Sequence, residues 1–143
     1  MIGLTFAAAK HGFFDREKVK RSVDAGTRKV LSKFGAFVRQ RAKTSIRKRK
    51  GTSPPGGPPF SHVGLLRKFI LFAYDADRKS VVIGPTLTNE GSDAPRLLEH
   101  GGDTNLETRK GSRQAHYRRR PFMGPAFEQE QQKLPALWKN SVR

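Results

Sequence analysis

Between Asp15 and about Ile46 the apolar residues Val19, Val23, Val30, Phe34, Phe37 and Val38 recur at steps of mainly three, four and seven. That spacing puts them on one face of a helix and predicts a long amphipathic α-helix. From Leu65 to Tyr74 the pattern shortens to period two. Phe69, Leu71 and Ala73 share one face, and Ile70, Phe72 and Tyr74 the other, so this segment reads as a strand covered on both sides, by the helix and by another chain or element. Asp75-Ala-Asp-Arg-Lys79 supplies a turn and Ser80-Val-Val-Ile-Gly84 a second strand, which Pro85 stops. Ala94 to His100 reads as one or two helical turns with Pro95 at the first position, ended by Gly101-Gly102. From Asp103 to Arg120 no period is visible, and a long polar loop is expected. Phe127, Leu134 and Trp138 then mark a last helix that Pro135 should kink or break, because an interior proline lacks the N–H and clashes with the preceding turn.

Between the first helix and the first strand lies Ser53-Pro-Pro-Gly-Gly-Pro-Pro-Phe-Ser-His62, which can be neither helix nor strand. Pro54, Pro55, Pro58, Pro59 and Phe60 form an extended arm with a pivot at Gly56-Gly57, expected to lie on something other than itself. Together these elements predict a single α+β domain over 1–143, in which a long basic N-terminal helix packs on a small antiparallel sheet. Its parts are an N-terminal extension (1–14), a basic helix (15–50), a Pro/Gly arm (51–64), a β-hairpin (65–85), loops with a short helix (86–120) and a C-terminal helix (121–143).

Charge changes this picture most. The 143 residues hold 29 Lys and Arg against 12 Asp and Glu, a formal net charge of +17. Such a chain repels its own copies unless a polyanion is present, and nucleic acid is the leading candidate. A solvated helix face normally mixes signs, but the first helix does not, and it runs into Arg47-Lys-Arg-Lys50. The residues expected to face DNA through its backbone charge, without reading sequence, are Lys43, Arg47, Lys48, Arg49, Lys50, Arg118, Arg119 and Arg120. No zinc-finger spacing, ribonucleoprotein motif or helix-turn-helix glycine turn supports sequence-specific reading.

Candidate chemistry is sparse. The chain has no cysteine, so it has no disulfide framework, thiolate metal site or cysteine nucleophile, and synthesis in a reducing cytoplasm is expected. His11, His62, His100 and His116 lack metal-ligand spacing, and no carboxylate cluster suited to phosphodiester hydrolysis is visible. The expectation is a soluble protein that is not an enzyme and holds no cofactor or metal. The short apolar run near Met1 lacks a basic leader, and no stretch approaches a membrane span, so neither secretion nor a membrane partner is expected.

Four short motifs occur in order: Pro-Pro-Phe60-Ser-His-Val-Gly64-Leu65-Leu-Arg67-Lys-Phe-Ile70, then Val81-Val-Ile-Gly-Pro85, Ala94-x-x-Leu-Leu-Glu99-His-Gly101, and Arg120-Pro121-Phe122-Met-Gly-Pro125-Ala126. In this order the chain resembles the tail-completion (head-tail joining) proteins of tailed bacteriophages, a group that includes lambda-type minor tail protein Z. The resemblance spans roughly residues 15 to 140. Val63 stands where the pattern has Thr, Phe69 where it has a small polar residue, and His100 where it has an aromatic one. The resemblance implies an α+β structural protein of the virion neck, assembled in the host bacterial cytoplasm and free of catalysis. Its implied partners are copies of itself in a six-fold ring, head-closure or adaptor proteins, tail-terminator or tail-tube proteins, and packaged double-stranded DNA. The competing expectation from size and charge is a ribosomal or other RNA-associated structural protein.

Overall fold

A computed structural model describes residues 15–86, 93–109, 111–139 and 141. Helix α1 (Arg16–Ser45) opens on Asp15, whose carboxylate accepts the Lys18 N–H at 3.0 Å and so satisfies one of the free donors of the first turn. It ends without a glycine. The Ser45 and Thr44 hydroxyls donate to the carbonyls of Ala42 and Arg41, and Ile46 turns extended. The helix therefore stops five residues short of the expected 15–50, and Arg47 to Lys50 form an extended tail.

One stripe of α1, Val30, Phe34, Val38 and Ala42, is buried, as is Ile46 just beyond it. Strands β1 (Ile70–Asp75) and β2 (Ser80–Pro85) pair antiparallel and lie across this stripe, with Ile70 opposite Pro85, Phe72 opposite Ile83 and Tyr74 opposite Val81. Gly35 is where the two layers come closest: a Cβ there would sit 2.7 Å from Val81 and 2.8 Å from the Phe72 ring. Asp75 closes the hairpin turn by accepting the N–H groups of Asp77 and Arg78, and Lys79 reaches back to Asp24 at 2.6 Å. The far side of this hairpin is not covered. Leu71 and Val82 remain 45% and 63% exposed, so the two-sided burial expected of the strand is one-sided in the single chain.

On the other flank of α1 lie α4 (Met123–Gln131) and α5 (Leu134–Trp138), separated where Pro135 enters the first turn of α5. The expected break is present, so the described residues from 121 on hold two short helices rather than one. Phe122 and Ala126 join the core, and Phe127 meets Phe34 edge-on at 5.6 Å. Arg41 of α1 and Lys133 converge on the buried carboxylate of Glu130. The architecture is thus α+β, with a long N-terminal helix, small antiparallel sheets and C-terminal helices.

Three expectations are corrected. The segment read as a strand from Leu65 begins as a single helical turn, α2 (Leu65–Lys68), in which the N–H groups of Lys68 and Phe69 bond back to Gly64 and Leu65. Leu-Leu-Arg-Lys are good helix formers, and the strand starts only at Ile70. The long loop expected within 86–120 is instead, after α3 (Ala94–His100), a β-hairpin of β3 (Gly102–Thr108) and β4 (Gly111–Tyr117). Its alternation is carried by Thr104, Leu106, Ala115 and Tyr117 against Asp103, Asn105, Gln114 and His116, a contrast too weak to register as hydrophobic periodicity. The Pro arm turns at residues 55–57, where Gly56 has φ +82, and it does not protrude: Ser53, Pro59 and Ser61 are buried against their own chain. Residues 1–14 and the 87–92 part of the expected loop lie outside the described residues.

Candidate nucleic-acid interface

The Pro arm has few N–H donors to satisfy, and those that bond bind it to both basic segments. Ser61 donates to the Arg47 carbonyl at 3.0 Å, and Gly56 donates to the Arg119 carbonyl at 3.0 Å. Arg47 and Phe60 meet in an isolated parallel β-bridge, and the Arg49 guanidinium lies 5.6 Å from the Phe60 ring centre. Arg120 fixes the other end of the arm, donating from Nε to the Ser53 carbonyl at 2.9 Å and from its terminal nitrogen to Arg118. Two basic segments some seventy residues apart in sequence thereby flank one strip of proline. Pro54, Pro55 and Pro58 are exposed on that strip, Phe60 is half-buried and Pro59 is buried.

Of the expected DNA-facing residues, Arg47, Lys48, Arg49, Lys50, Arg118 and Arg119 are exposed on this surface. Lys43 is half-buried in the last turn of α1. Arg120 is different, because its guanidinium is spent on holding the arm.

The carboxylates explain why the cations stand free. Asp15 caps α1, Asp24 pairs with Lys79, Asp75 closes its own turn, Asp93 faces Arg96, Asp103 lies 2.7 Å from His116, and Glu130 takes Arg41 and Lys133. Glu99 is committed to N–H groups. None of these acids pairs with residues 47–50, 118 or 119 among the described residues. Burial raises the Glu130 carboxyl, but the hydrogen bonds from Arg41 and Lys133 outweigh it, and the group titrates below the usual carboxylate range.

The motif positions serve architecture. The Glu99 carboxylate accepts the N–H groups of Phe122, Met123 and Gly124 at 2.9, 3.0 and 2.7 Å, filling the first turn of α4 where the helix dipole favours an anion. Gly101 has φ +77, and a Cβ there would stand 3.0 Å from the Tyr117 carbonyl oxygen, so its place is restricted to glycine. Ile70, Phe122 and Ala126 are core. Pro121 is half-buried, Gly64 precedes α2, and Leu65, Arg67 and Pro125 are exposed. Sequence reasoning missed the Glu99 clamp, the Arg120 strut and the Arg41–Glu130–Lys133 cluster. The pairing of a lone carboxylate in one motif with the helix start in the next was the available signal for the first of these.

Among the described residues no three His, Cys, Asp or Glu side chains converge as metal ligands. No described helix is long and apolar enough to cross a membrane. Comparison with protein-family models, with curated proteins and with solved structures finds no match to this chain.

Proposed function

We propose that this chain is a structural subunit of the neck of a tailed bacteriophage, a tail-completion protein that forms a six-fold ring joining the tail to the DNA-filled head. The observation behind this reading is the exposed basic surface that the Pro arm assembles from residues 47–50 and 118–119, free of carboxylate partners among the described residues. Duplex DNA presents one negative charge per about 1.7 Å of axis, and a ring around it neutralises charge that would be a liability in a lone subunit. The uncovered Leu71 and Val82 face and the two-stranded hairpins supply surface for neighbouring copies and for head-closure and tail-terminator proteins. The contribution is positional, and no catalytic step is assigned to it. The test is removal of the gene from the phage that carries it: filled heads and finished tails should accumulate unjoined, and purified protein should join them. Normal particles without the protein would refute the assignment.

A further inference from the structure

The basic tail is not the only cationic surface, because α1 carries further basic residues on the side away from the core. Three of its five arginines contact the rest of the chain: Arg28 lies 5.9 Å from the Tyr74 ring centre, Arg39 donates to the Ile70 carbonyl at 2.9 Å, and Arg41 pairs with Glu130, whereas Arg21 bonds back to Glu17 of the same helix. Three of its five lysines fall on the side away from the core, with Lys18 and Lys29 exposed and Lys43 half-buried. Lys18, Ala25, Lys29, Ala36 and Lys43 follow one another at helical steps of seven and four, on the side opposite Val30, Phe34, Val38 and Ala42. The only acids of α1 are Glu17 and Asp24, both off this strip, and Asp24 is turned to Lys79. A helix of 30 residues is about 45 Å long, and its last turn runs directly into Arg47 to Lys50.

We infer that the outward face of α1 is a second, sequence-independent contact for the phosphate backbone of duplex DNA, continuous with the basic tail. The inference rests on reading that tail as DNA-facing and extends it along the whole helix. The chemistry fits: lysine is a flexible, strongly hydrated point charge that tolerates loose register against phosphates. The alanines between the lysines keep the strip shallow enough for close approach. A face evolved only for solubility would mix signs, and this one holds no carboxylate.

The test is binding of the full chain to short duplexes of unrelated sequence, followed by fluorescence anisotropy across a salt series. Three proteins are compared: wild type, K18Q/K29Q on the strip and K48Q/R49Q/K50Q on the tail. Each lost phosphate contact reduces the slope of log affinity against log salt by about 0.9, so K18Q/K29Q should lower it by about 2, equally for every duplex. The tail variant should lower it independently by up to about 3. An unchanged slope in K18Q/K29Q, with the tail variant still reduced, overturns the inference and leaves the tail reading standing. A wild-type slope in the tail variant, or no duplex binding by wild type, removes the DNA-facing reading itself. Tighter binding to polyglutamate than to duplex at equal salt, lost in K18Q/K29Q, assigns the strip to an acidic protein and also overturns the inference.

Discussion

At Gly35 the chain accepts the cost of a glycine inside a helix, about 1 kcal/mol relative to alanine, because the sheet lies too close for a methyl group. Gly35→Ala should therefore destabilise rather than stabilise the fold, by about 1–3 kcal/mol in chemical denaturation, since Val81 and Phe72 are both part of packed strands. A rise in stability would show that the two layers have room to separate. Glu99 makes the opposite kind of contribution, closing three backbone donors with one charge. Glu99→Gln should cost about 1–3 kcal/mol, and Glu99→Ala more, because alanine leaves the donors at the start of α4 without their acceptor. Equal stability of Gln and wild type would mean that the charge at the helix start adds nothing. Neither role was legible in the sequence. Glu99 read as one acid beside a histidine, and only the meeting of α3 with α4 gives it work.

Between elements, the Glu130 cluster ties α1 to α4 and carries a pH dependence with a defined sign. Its carboxyl titrates below the usual range when folded and at an ordinary value, about 4.3, when unfolded. The unfolded chain thus takes up the proton first as pH falls, and the stability that Glu130 supplies is full above that ordinary value and is lost progressively below it. Glu130→Gln should flatten the acid limb of a stability–pH curve; an identical limb would assign acid sensitivity to other carboxylates. The Pro arm and the β3–β4 hairpin make a contrasting pair. Gly56 and Ser61 amides are bonded to carbonyls of the same chain, so they should exchange slowly even in an isolated subunit. No described residue of the β3–β4 hairpin is buried, and its amides should exchange quickly until a partner covers it. Fast exchange of both arm amides would contradict the seating of the arm. Helix α1, the β1–β2 hairpin and the break before α5 were readable because their signals are local: a 3.6 period in valine and phenylalanine, and a proline. The β3–β4 hairpin was not, because threonine and alanine stand where larger apolar residues would announce a strand. The arm misled for another reason: its prolines rule out regular structure but say nothing about which surface the extended chain rests on.

In the whole molecule a net charge of +17 stands beside carboxylates many of which are committed to internal caps and pairs. Salt screens such a charge over distance and a polyanion neutralises it at close range, while the exposed faces of the hairpins are surface open to other protein. The proposed ring of copies around duplex DNA would supply both a polyanion and protein neighbours. The most direct measurement is electron-microscopic reconstruction of phage particles from the strain that encodes the chain, in whose neck the protein is proposed to sit. The account predicts a ring of this chain between head and tail, with Arg47 to Lys50, Arg118 and Arg119 turned to the DNA and the Leu71 and Val82 face covered by protein. A ring lumen lined by other residues with that basic surface in solvent, or the protein lying away from the neck altogether, would contradict it.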